Sequence, residues 1–143
     1  MASQATSTSR SWKAFTRRMR ELRLIAKGAL KTSHPIMAHI IPIRRCNLSC
    51  AYCNEYDDHS APVPTETMIQ RINHLADLGT GVITLSGGEP LLHPDLDQII
   101  ATMRHRGVIA GMITNGYLLV PERIERLNAA GLDHMQISID NVM

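Results

Sequence analysis

Apolar residues return along this chain with two different periods, and the alternation between them predicts its architecture. Trp12, Phe15, Met19, Leu22, Ala26 and Ala29 recur at spacings of three and four, which places them on one face of a helix over residues 11–33. Arginines occupy its other faces. Pro35 ends it, because the residue before a proline is pushed out of the helical region. Residues 36–43 are rich in Ile and read as a buried strand, and the polar stretch 54–64 reads as a loop.

From there helix and strand alternate. Met68, Ile72, Leu75 and Leu78 stripe a helix opened by Pro64 and Thr65 and closed by Gly79 and Gly81, before a strand at 82–85. A second helix over 95–106 turns Leu96, Ile99, Ile100 and Met103 inward and stops at Gly107, before a strand at 108–113. Pro121 starts a third, lined by Ile124 and Leu127 and ended by Gly131, and the strand 134–139 follows. The last three strands start about 26 residues apart, the length of one compact strand-helix unit. The pattern predicts an α/β fold with parallel strands and right-handed crossovers, whose strand C-termini gather on one ligand-binding edge.

Composition adds limits. The chain has 143 residues, enough for one ordinary domain, with 44% hydrophobic and 20% charged residues. That balance argues against disorder, except in the Ser/Thr-rich residues 1–10, expected as a disordered tail. No apolar run approaches the roughly 20 residues of a membrane span, and the first residues do not form a secretory signal, so a cytoplasmic location is expected.

Charge is more informative in its distribution than in its total of +2. Eight basic residues and one acid precede residue 32, against seven basic and twelve acidic residues after it. The basic helix is expected to pack its Trp12, Phe15 and Leu22 face on the body; an anionic membrane surface is the other partner its pattern fits. Nucleic acid is not expected, since no basic patch interleaved with aromatics occurs elsewhere.

The three cysteines, Cys46, Cys50 and Cys53, all fall within eight residues. An odd, tightly clustered set does not make a disulfide framework, and metal or cluster ligation explains it better. A structural zinc site is the bland alternative, with His34, His39 or His59 as fourth ligand, although no zinc-finger spacing is present. Thiolates are the usual ligands of iron-sulfur clusters, and three of them would leave one iron of a cubane open to a further ligand.

Every predicted strand runs into a polar or glycine-rich segment. After the first comes the cysteine loop; after the second, Ser86-Gly87-Gly88-Glu89-Pro90; after the third, Thr114-Asn115-Gly116; after the fourth, Ser138-Ile139-Asp140-Asn141. All four fall on the edge where such folds bind ligands. Asn-Gly is also a common turn signal, and Ser138 and Asp140 suit an ordinary strand end.

Cys46, Cys50 and Cys53, with Tyr52 before the last of them, resemble the CxxxCxΦC motif of radical S-adenosylmethionine (radical SAM) enzymes, and Gly87-Gly88-Glu89 resembles that family's GGE motif. The resemblance covers roughly residues 36–140. It implies a partial (βα) barrel over 36–143 and a 4Fe-4S cluster held by the three cysteines. The open iron would chelate S-adenosylmethionine, with Gly87, Gly88 and Glu89 holding its amino group. An external flavodoxin- or ferredoxin-like donor would supply one electron. Cleavage of the cofactor would yield a 5′-deoxyadenosyl radical that abstracts hydrogen from an unidentified substrate. Tyr52 is expected against the adenine, Ser138 and Asp140 at the ribose, and Asn115 within reach of cofactor or substrate. The family core has six βα units and four strands are present here, so an incomplete core belonging to a longer chain is expected. The competing expectation is a non-catalytic iron-sulfur protein or an inactive fragment.

Overall fold

Ile83 and Leu85 on one strand pair in register with Ala110 and Met112 on the next, so all four fall on the same face of a sheet, and all four are fully buried. That alternation builds the core. A computed structural model describes residues 3–30, 33–54 and 57–139. Its elements are α1 (Ser3–Leu30), β1 (Met37–Ile43), α2 (Thr65–Asp77), β2 (Val82–Gly87), a 3-10 turn (Pro90–Leu92), α3 (Leu96–His105), β3 (Ile109–Thr114), α4 (Pro121–Ala130) and β4 (His134–Ile137). The strands form one sheet in the order β1-β2-β3-β4, every pair parallel. This is the predicted α/β architecture of successive βα units.

Met68 and Ile72 of α2, Leu96, Ile99, Ile100 and Met103 of α3, and Leu127 of α4 close over the apolar face. Each such side chain contributes about 1.5–3 kcal/mol by leaving water. Leu78 and Ile124, also expected inward, are exposed; Leu78 is the C-cap of α2, where the helical stripe has turned off the sheet. The opposite face is polar at its centre, where His39, Thr84, Gly111 and His134 stand in one row across the four strands. Gly111 makes room there for the His134 ring, since a Cβ would sit 2.5 Å from its Nε2.

α1 departs from expectation twice. It starts at Ser3, running through the expected tail: residues 3–10 contain neither Gly nor Pro, and extending a formed helix costs little compared with nucleating one. Its rotation is also the reverse of the predicted one. Trp12, Phe15 and Leu22 are 68%, 57% and 54% exposed, while the face carrying Thr16, Arg20, Leu24 and Gly28 meets the body. Leu24 packs over Gly81, Gly28 approaches Ile36, and Arg20 Nη2 donates to Asp133 Oδ1 at 2.5 Å. Asp133 is nearly buried and also receives Arg104 at 3.4 Å and the Ala110 N–H at 3.0 Å. A buried carboxylate without a cation costs several kcal/mol, and this rotation of the helix brings Arg20 to it beside Arg104 while leaving the apolar stripe outside. Gly81, Asp133 and Ile36 precede β2, β4 and β1, so α1 lies across the strand N-termini.

Candidate cluster and cofactor site

The cysteine loop is rooted in a break in β1. Pro42 has no N–H to give to a ladder, and the β1–β2 register slips between the Ile40–Leu85 and Ile43–Gly87 pairs. The irregular end of β1 presses against the end of β2. Gly87 has φ +112°, and a Cβ on it would lie 2.5 Å from Cγ2 of Ile41; a Cβ on Gly88 would lie 2.2 Å from the Arg44 carbonyl and 2.3 Å from that of Arg45. No other residue fits at Gly88. With the side chains absent, Gly88 N–H donates to Ile43 O at 3.1 Å and Glu89 N–H to Arg45 O at 3.0 Å, fastening the root of the loop to the GGE segment. The glycines thus serve contact between two chain segments, beside any contact with a ligand.

A second stitch joins β2 to β3. The Glu89 carboxylate is fully buried and accepts from Leu91 N–H at 2.9 Å, the Thr114 hydroxyl at 2.8 Å and Asn115 N–H at 2.9 Å. Its first contact caps the 3-10 turn, which hydrophobic periodicity did not reveal. Its last fixes Asn115, whose side-chain amide donates to Asn47 Oδ1 at 2.8 Å and reaches Cys46 Sγ at 3.7 Å. Leu48 N–H also points at Cys46 Sγ, at 3.4 Å.

A third stitch closes the far end of the cysteine loop. Arg45 and Asp57 form an isolated parallel bridge, and Cys46 N–H donates to Asp57 O at 2.9 Å. The Ser60 hydroxyl and N–H donate to the Asp57 carboxylate, with a smaller contribution from the His59 N–H, and hold its pKa below the usual value.

These stitches leave a cavity of about 760 Å³ over the strand C-termini, lined by the three cysteines, Tyr52, Gly87, Gly88, Asn115 and Ser138. All three cysteines are free thiols and half-buried. Among the described residues no three His, Cys, Asp or Glu side chains converge as a single-ion site requires. A cubane makes a different demand, since each thiolate binds its own iron. Two N–H groups directed at Cys46 Sγ suit an electron-rich sulfur, and a loop of three free thiols beside an open cavity fits a cluster with one exchangeable position.

Eight of the predicted site residues share this cavity: the three cysteines, Tyr52, Gly87, Gly88, Asn115 and Ser138. Glu89 is adjacent but does not line it, and its carboxylate faces three protein donors. Asp140 lies outside the described residues. Thr114, Ser86 and Tyr117 also line the cavity without having been singled out. Thr114 was legible as the residue ending β3 beside Asn115. His93, given no role from sequence, is buried and bridges Val63 O at 2.9 Å and Asp95 N–H at 3.2 Å, a structural role.

A thiol-bearing loop after the first strand and a glycine pair after the second, on one edge of a parallel βα sheet, define the class. Residues 40–142 match the model of the radical SAM superfamily, and the chain belongs to that family. The family binds a 4Fe-4S cluster and S-adenosylmethionine. The chain is 38% identical over 101 residues to the PqqA peptide cyclase of Gluconobacter oxydans, and 38% identical over 98 residues to the AdoMet-dependent heme synthase of Methanosarcina barkeri. Those matches cover 68% and 66% of this chain, which spans 28% of the length of each relative. Among solved structures, BtrN in complex with AdoMet and 2-DOIA aligns with a TM-score of 0.65 at 21% identity, over 72% of this chain and 45% of that one. Streptococcus suis SuiB bound to S-adenosylmethionine aligns with a TM-score of 0.60 at 23% identity, over 66% and 23%. Both show the fold. Among the described residues no helix is long and apolar enough to cross a membrane.

Proposed function

We propose that this chain carries the cluster and cofactor site of a radical SAM enzyme. The observation that supports the reading most is that Cys46, Cys50 and Cys53 open as free thiols onto one cavity, faced by the GGE glycines, Asn115 and Ser138. The three cysteines would ligate three irons of a 4Fe-4S cluster, leaving the fourth for the methionine end of S-adenosylmethionine. When bound, the cluster would supply one electron to the cofactor's sulfonium and so initiate radical chemistry on a substrate.

The residues of the chain bind and orient. Gly87 and Gly88 would present backbone to the cofactor's amino group, Tyr52 would lie against the adenine, and Ser138 and Asp140 would reach the ribose. Asn115 and the Leu48 N–H would donate to the Cys46 thiolate, an interaction that tunes cluster potential. Glu89 acts at one remove, holding Thr114 and Asn115 in place. The electron would come from an external flavodoxin- or ferredoxin-like donor. Relatives of equal identity are named for a peptide cyclase and a heme synthase, so the reading commits to radical initiation and leaves the substrate class open.

The test is anaerobic reconstitution followed by iron, sulfide and zinc analysis, then addition of dithionite and S-adenosylmethionine. Near-equal iron and sulfide with formation of 5′-deoxyadenosine supports the enzyme. Zinc, or iron without sulfide, rejects the cluster. A cluster that never yields 5′-deoxyadenosine supports the alternative of a non-catalytic iron-sulfur protein or an inactive fragment.

A further inference from the structure

The two faces of α1 meet different surroundings. Thr16, Arg20, Leu24 and Gly28 stand about one turn apart and meet the strand N-termini. The opposite face carries Trp12, Phe15, Met19 and Leu22, all exposed, with the Trp12 and Phe15 rings 6.0 Å apart. Exposed Ile25 widens this stripe. At the helical period, exposed Arg18 falls between Leu22 and Ile25 and exposed Arg23 on the edge of the stripe beyond Met19. A contiguous apolar surface rimmed by polar residues marks a binding face.

Charge identifies its occupant. Eight basic residues against one acid precede residue 32; Arg20 is taken up by Asp133 and Arg17 by Glu21, while Arg18 and Arg23 stand exposed with the stripe. A second copy of the helix would bring like charges together. An anionic bilayer answers both features: the stripe enters the acyl boundary, the Trp ring sits at headgroup level, and the arginines extend to phosphates. We propose that α1 docks this protein on an anionic phospholipid surface. Because α1 covers the strand N-termini, the cysteine loop at the opposite edge would face away from the bilayer, toward water.

The full chain is floated with vesicles of phosphatidylcholine alone or with roughly one-third phosphatidylglycerol. The expected result is flotation with the anionic vesicles at low salt, lost at high salt and with neutral vesicles. Phe15→Glu with Leu22→Glu abolishes it, and Arg18→Gln with Arg23→Gln weakens partitioning roughly thirtyfold. These positions are exposed, so the thermal melt stays unchanged. No flotation, equal binding to neutral vesicles, or undiminished flotation of the Phe15/Leu22 variant overturns the proposal. A dimer in solution that this variant splits, without flotation of the parent, also overturns it and assigns the face to a second copy.

Discussion

The two edges of the sheet are held by opposite strategies. At the strand N-termini one helix lies across the ends, fixed by the Arg20–Asp133 pair and the seat of Leu24 over Gly81. At the C-termini the ends are tied to one another by short stitches from Gly88, Glu89 and Asp57, and the space above them stays open. A covered edge tolerates adjustment, because a helix can shift on its seat. A stitched edge cannot adjust without moving the groups that line its cavity, so the same loss of stability has different chemical consequences at the two ends.

Substitutions can break this contrast. Glu89→Ala is expected to have the largest effect: it strands the Leu91 and Asn115 N–H groups and the Thr114 hydroxyl in a buried place, costing about 3 kcal/mol or more in denaturant unfolding. The surviving protein should also take up less iron on reconstitution. Gly88→Ala comes next, at about 2–3 kcal/mol, because the new methyl meets the Arg44 and Arg45 carbonyls and the loop root must move. Iron uptake should fall here too. Asp133→Asn tests the covered edge. It weakens contacts to Arg20 and Arg104 and is expected to cost about 1–2 kcal/mol, with iron per chain unchanged. Equal iron loss in all three variants would dissolve the distinction between the edges.

The smallest expected effect is on pH. The Asp57 carboxyl titrates below its ordinary value of 3.8 because Ser60 stabilises its charged form. Its contribution is therefore complete above 3.8 and fades as pH falls through the lower folded-state value. Protection of the Ser60 and Cys46 amides, taken relative to the intrinsic exchange rate at each pH, should fall over that acid range, and Asp57→Asn should remove this loss.

Much of this was legible in the sequence because it depends on local pattern. The period of Leu96, Ile99, Ile100 and Met103 marked α3, and the spacing of Cys46, Cys50 and Cys53 marked the loop, without reference to any distant residue. What escaped was set by partners far along the chain. α1 was expected to bury Trp12 and Phe15, but it turns Arg20 to Asp133 and Leu24 to Gly81, partners that no helical period reveals. Glu89 was placed as a cofactor contact by its motif, yet its three donors come from a turn and from β3. Periodicity finds which residues belong to a face; it does not say which face meets what.

The close fit at Gly88 bears on attempts to engineer this site. With the Arg44 and Arg45 carbonyls occupying the volume where a side chain would begin, the thiol-bearing loop and the GGE segment are shaped as a mould and its cast. Chimeras that graft the loop from another protein should succeed only when the glycine segment of the same donor travels with it.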